Sequence, residues 1–265
     1  MRNPIFKLFA ALAFALALTA PAHAGQACTE KTPTPDSIRK GLTLALKTRN
    51  ALDASGAQVA IVARAGQDLS RYGLTYSHMA YAWRDHPKGR WFVVHELNRC
   101  ATAESDLYDE GLGNFFLDDP YRYEALIVIP SLEVQARLAA QLTRDRATAM
   151  HQRHYNMVAY PWSTKYQNSN QWAVELLAAA LAPEGAITSR EMAQAWLKQS
   201  GFVPTTLHLG LLTRLGGRMT RANIAFDDHP NEKRFSDRIE TATVEAVVGF
   251  LEGRDADVRK RVLAQ

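Results

Sequence analysis

The sequence predicts an α+β fold: an antiparallel sheet with packed helices, and further helices towards the C-terminus. Three observations predict it. Four short apolar runs bounded by turn residues read as strands. Helical apolar patterns stand before and after those runs. No Pro-, Gly- or Ser-rich linker cuts the chain, so a single domain over residues 25–265 is expected.

The elements follow in order. Thr34 can cap a helix whose first position is Pro35. Ile38, Leu42 and Leu46 then recur every four residues and Gly56 closes the pattern, which gives roughly four turns. Residues 58–63 are a first strand, 76–83 a second, 91–97 a third and 123–129 a fourth, stopped by Pro130. The turn-rich Asp85-His86-Pro87-Lys88-Gly89 joins the second and third as a hairpin. Residues 101–121 read as a long irregular loop, either functional or a cover. Residues 131–142 are helical by pattern and 151–168 irregular. Residues 169–181 form a strong helix stopped by Pro183 and Gly185. Thr188-Ser189-Arg190-Glu191 opens another, through Gln199. Residues 202–240 are loop and short strand, and Val244, Val247, Val248 and Leu251 mark a last helix ended by Gly253.

Composition narrows the function classes. Hydrophobic residues at 47% and charged residues at 22% exclude disorder, a coiled coil and a disulfide-dense mini-protein. Residues 1–24 read as a secretory signal peptide: Arg2 and Lys7, an apolar run over 8–20, then Ala22-His23-Ala24. That run is shorter than the roughly 20 residues a membrane span needs. A periplasmic or secreted protein follows, with no transmembrane anchor after cleavage. Without Arg2 and Lys7 the basic residues fall from 31 to 29, against 27 acidic ones. A balance that close to zero predicts no nucleic-acid partner. Two cysteines remain, Cys28 and Cys100. An even count in an oxidising compartment favours a disulfide, worth about 4 kcal/mol in the chain-entropy model; a catalytic thiol is the alternative.

Few residues invite chemistry. His151 and His154 are three apart, but no further ligand stands at a usual spacing, so no metal is expected. No phosphate loop, nucleophile elbow or dinucleotide fingerprint occurs, so no cofactor is expected. Asp227-Asp228-His229-Pro230 reads as a turn whose Asp side chains bond their own backbone. Three pieces remain. His78 lies in the second strand after Tyr76-Ser77. His95 and Glu96 lie in the third, on opposite faces by alternation, so one of them shares the face of His78. Asn168-Ser169-Asn170 opens the strong helix, where unpaired N–H groups suit either an oxyanion or simple capping.

The order of these pieces resembles the permuted papain-like folds, relatives of NlpC-type peptidases that include the lecithin:retinol acyltransferase-like group. The resemblance covers about residues 58–182 and implies a permuted papain-like core. It implies His78 as base, His95 as the orienting residue with Glu96 as fallback, and Trp172 as the helix aromatic. Ser169 then stands in the usual cysteine position, and Asn168, Asn170 and Tyr76 are oxyanion or substrate-binding candidates. More closely, the chain resembles the exported bacterial domain-of-unknown-function family 2145 through Ser77-His78, the strand from Trp91 to Asn98, and Asp227-Asp228-His229-Pro230. Two readings of different class follow. One is an amide or ester hydrolase or acyltransferase built on a Ser-His dyad or triad. The other is a catalytically inactive binding module of the cell envelope, with a cell-wall peptide, lipid or protein partner.

Overall fold

The computed structural model describes residues 32–118 and 120–265. The signal peptide expected at residues 1–24, and Cys28 of the expected Cys28–Cys100 pair, lie outside these residues. Among the described residues the centre is a six-stranded antiparallel sheet. Strands β1 (Val59–Ala65), β2 (His78–Trp83), β3 (Phe92–Asn98) and β4 (Ser105–Gly111) form a meander. Strand β5 (Arg122–Ile129) returns to pair with β1 on its other side. After the small hairpin of β6 (Thr205–His208) and β7 (Arg238–Thr241), strand β8 (Arg259–Ala264) pairs with β5. The order is β4-β3-β2-β1-β5-β8. The predicted α+β class and antiparallel sheet are what the chain forms.

Strand alternation sorts side chains onto two faces. Ala60, Val62, Ala80, Ala82 and Val93 face one way and pack under helices α1 (Pro35–Ser55) and α2 (Leu112–Leu117). Val59, Ile61, Met79, Tyr81 and Val94 face the other way, where α3 (Leu132–Gln141), α4 (Arg144–Ala149), α5 (Ser169–Leu181), α6 (Arg190–Gln199) and α9 (Val244–Glu252) gather. Helix α5 is the axis of that second layer. Trp172 on it is fully buried and donates its indole N–H to Ala147 O at 3.2 Å.

Helix α1 runs 21 residues, longer than the four turns the pattern predicts. Its end is as expected: Gly56 adopts φ 72°, the left-handed cap that glycine reaches without steric cost. The face it buries is different. Ile38, Leu42 and Leu46, whose spacing signals the helix, are half-exposed, while Gly41, Leu44, Ala45, Thr48, Ala51 and Leu52 face the sheet. Gly41 sits where α1 crosses α2; a Cβ there would stand 2.8 Å from Leu117 Cδ2 and 3.0 Å from Phe116 O.

Residues 101–121 are not an irregular loop. They supply edge strand β4 and helix α2. The acidic residues Asp106, Asp109 and Glu110 hide the period-2 pattern, yet every β4 position pairs with β3. Four other elements escape the sequence reading: the basic strand β8, helix α4, and helices α7 (Leu211–Thr220) and α8 (Asn231–Arg234) within the stretch expected to be loop and short strand.

Candidate functional site

Hairpin β2–β3 carries the first cluster. His78 and His95 both point to the α1/α2 face. The β2–β3 ladder runs from Trp83–Phe92 through Ala82–Val93 to Tyr81–Val94 and then ends, Met79 N turning to Asn170, so His78 and His95 lie just past its end. His78 Nε2 and His95 Nδ1 lie 2.8 Å apart. On the far side of His95, Nε2 approaches Glu110 Oε1 on β4 at 3.1 Å, with a bent geometry that leaves no well-formed hydrogen bond. With both rings neutral, a proton on His95 Nε2 facing Glu110 makes Nδ1 the acceptor and His78 Nε2–H the donor. The cluster is thus a line: His78, His95, Glu110.

The surroundings hold both rings uncharged. Phe115 of α2 lies against both, at 5.8 Å and 5.6 Å between ring centroids. Arg64 at the end of β1 is buried on the same face, its guanidinium 4.8 Å from the Phe115 ring centroid. It donates to Phe115 O and pairs with Asp118. Burial, then the Arg64 charge, holds the His78 ring well below the usual histidine range. Burial also lowers His95, and Glu110 pulls partly the other way.

Ser169 is on the opposite side of the sheet. It is the first residue of α5, behind the N-cap Asn168, whose Oδ1 accepts from Gln171 N at 2.8 Å. Ser169 is buried and hydrogen-bonded with Tyr155, whose phenol desolvation pushes up to about 12. Glu96, fully buried, points to this side as well. Neither of its carboxyl oxygens makes a well-formed hydrogen bond, and desolvation pushes it up to about 8, with the Ser105 hydroxyl and the Arg190 charge pulling back. Ser105 Oγ itself stands 3.0 Å from His151 Nε2.

So the structure brings His78 to His95, and does not bring Ser169 to either. Ser169 belongs to the α5 layer while the His78 ring lies against Phe115 and His95 on the α1/α2 side, so the structure forms no Ser169–His78 dyad. The fallback Glu96 shares the side of Ser169 but not of His78. The remaining candidates hold the fold together. Asn168 Nδ2 donates to Thr241 Oγ1 at 2.9 Å. Asn170 accepts from Met79 N at 3.2 Å and donates to Ser77 O, which staples the start of α5 to the start of β2. Tyr76 is buried and its hydroxyl donates to Glu124 Oε1 at 2.8 Å. Trp172 is core.

Beside Ser169, Glu175 of α5 is the hub of a buried network. Its two oxygens accept from Arg190 Nε at 2.7 Å, Gln167 Nε2 at 2.6 Å, Gln194 Nε2 at 2.8 Å and Gln171 Nε2 at 3.2 Å. Arg190 also donates to Thr164 O and Tyr166 O, both at 3.0 Å. The irregular segment 151–168 is pinned to α5 and α6 in this way. The Asp227-Asp228-His229-Pro230 segment acts similarly: Asp227 bonds its own backbone as expected, and both Asp side chains also reach beyond the segment. Asp228 accepts from Tyr160 N at 2.8 Å, Asp227 pairs with Lys165 at 2.7 Å, and His229 links Asp228 to Glu240 O on β7, each at 2.9 Å. These Asp side chains clamp a neighbouring segment.

Arg64, Glu110 and Phe115 complete the histidine cluster and were not legible as partners. Glu110 had one available signal: an acid in a period-2 stretch beside a histidine strand. An open cleft of about 230 Å³ lies on the same layer, between α1 and the β3–β4 edge, lined by Ala45, Leu46, Arg49, Arg90, Trp91 and Leu112. Among the described residues no group of three His, Cys, Asp or Glu could hold a metal ion, and no helix is long and apolar enough to cross a membrane. No curated protein and no solved structure matches the chain. The profile of a bacterial family described as an uncharacterized protein conserved in bacteria (DUF2145) matches residues 51–251, and the chain belongs to that family.

Proposed function

We infer that the protein is an exported envelope component that binds a partner rather than one that hydrolyses through Ser169. The observation that carries this is the separation of the nucleophile candidate from its base across the sheet. A serine hydroxyl needs a hydrogen-bonded base to become nucleophilic at neutral pH. Ser169 instead bonds Tyr155, whose phenol stays protonated at any ordinary pH. His78 is engaged with His95 and faces α2. The papain-like resemblance is then one of sequence order, without the catalytic geometry. Export rests on the basic and apolar leader with its Ala22-His23-Ala24 site. The cleft beside Trp91 is the candidate seat for a ligand. Its apolar floor suits an apolar group of an envelope partner, since the Arg90 guanidinium on its rim is already paired with Asp53 and Arg49 is held by Asn50.

A fluorophosphonate probe for activated serines tests the reading. The folded protein is expected to stay unlabelled over the pH range 6–9. Labelling that disappears in Ser169→Ala would overturn the reading and restore the hydrolase. Ser169→Ala itself is expected to cost only about 1 kcal/mol of stability, the value of one hydrogen bond, measured by urea unfolding.

A further inference from the structure

Helix α7 is built the wrong way round for a globular protein. An amphipathic surface helix ordinarily turns its apolar stripe to the core. In α7 none of the ten residues is buried. At about 100° per residue, Leu211, Leu212, Leu215 and Met219 share one stripe. These four side chains are 52–82% exposed. The helix touches the body through its other side. A Cβ on Gly217 would meet Ile224 at 3.4 Å, and Arg214 donates to Arg234 O. Arg218 stands three residues after Leu215 and lines one margin of the stripe, while Arg214 is turned into the body with its Nε buried. The Arg214 contact also brings the segment at Arg234 alongside, where Phe235 is 69% exposed beneath the Arg234 guanidinium. From residue 205 to 226 the chain carries Arg214, Arg218 and Arg221 and no acid.

We propose that α7 is a membrane-surface helix that seats on an anionic lipid bilayer, its Leu/Met stripe and Phe235 among the acyl chains and Arg218 and Arg221 at the headgroups. The charge of the helix selects this occupant. An apolar stripe with a wholly basic margin matches an apolar interior under an anionic surface, and each arginine there adds to binding. The Phe235 ring joins the Leu/Met stripe on the side that is buried in the acyl boundary. A protein groove would need acidic side chains to meet Arg218 and Arg221, and α7 itself offers none for a second copy to pair with. The helix is one of association only, ten residues being far short of a span.

Sedimentation of the whole protein with vesicles tests this. The protein is expected to pellet with phosphatidylglycerol/phosphatidylethanolamine vesicles at 0.15 M salt and to stay in the supernatant with phosphatidylcholine alone. Arg218→Gln with Arg221→Gln should weaken binding roughly 30-fold, two surface charges at their usual contribution. Leu212→Ser with Leu215→Ser should abolish it while circular dichroism is unchanged, since neither side chain belongs to the buried core. Absence of pelleting with anionic vesicles overturns the proposal. So does binding that both double variants retain, because the lipid contact would then lie elsewhere.

Discussion

Arg190→Ala is expected to lose about 3–5 kcal/mol of folding stability, the usual cost of stripping one partner from a buried ion pair. The reason lies in Glu175. Its side chain has no solvent exposure, and Arg190, only 7% exposed, is its one cationic neighbour in the network. Desolvation already pushes the Glu175 carboxyl above the usual carboxylate range despite its donors. Without the guanidinium the three glutamines remain, but they cannot neutralise a charge. Thr164 O and Tyr166 O would also lose their donor, loosening segment 151–168. Adding Glu175→Gln to Arg190→Ala should recover part of the loss, because the orphaned charge goes with it. Urea unfolding of the two variants and the parent checks this; a loss below 1 kcal/mol for Arg190→Ala would refute it.

Glu96→Gln is expected to stabilise the protein at pH 8 by several kcal/mol and to flatten its stability between pH 6.5 and 8. The sign follows from proton uptake. Glu96 titrates near 8 when folded, against 4.5 as a free side chain. Between these values the folded state binds more protons than the unfolded one, so stability falls as pH rises, by up to about 1.4 kcal/mol per unit. His78 and His95 act in the opposite sense. Both rings titrate below 6.5 when folded, so their contribution is complete above 6.5 and is lost as pH falls through their folded values. The parent should therefore be most stable slightly acid of neutral. Unfolding midpoints from pH 5 to 9 for parent and variant decide it. Parallel curves would mean that Glu96 is ionised in the fold and that its burial is compensated.

Strands β1, β2, β3 and β5, the hairpin, and helices α5, α6 and α9 were legible because each has a pattern and a turn or cap of its own. Asn168 and Ser189 announce their helices, and both side chains make the capping bonds. Helix α7 and strand β8 were not legible because their patterns point the wrong way: apolar residues that stay outside, and a strand of Arg and Lys. The site was legible by halves. Alternation puts either His95 or Glu96 beside His78, and the hairpin register makes it His95. Which face of the sheet α5 would cover was not fixed by the order of the pieces. One hint was present. On β2 the small Ala80 and Ala82 share a face with His78, while Met79 and Tyr81 face away. On that face Tyr81 reaches Ala173 O of α5 at 2.6 Å. That choice alone separates Ser169 from the histidines.

The late arrival of β8 bears on how the chain reaches its fold. Ile129 ends β5, and Arg259 of β8, its partner by pairing, stands 130 residues further on. Between them the chain must assemble the whole α5 layer. Throughout that interval β5 presents unpaired N–H and C=O groups along Leu126, Ile127 and Val128, an edge on which another nascent chain could template itself. Once β8 docks, the new boundary bears Arg259, Lys260 and Arg261, whose charges discourage further strand addition. The vulnerable period of this protein is thus a matter of timing, closed by a basic strand that serves as both last rung and guard rail.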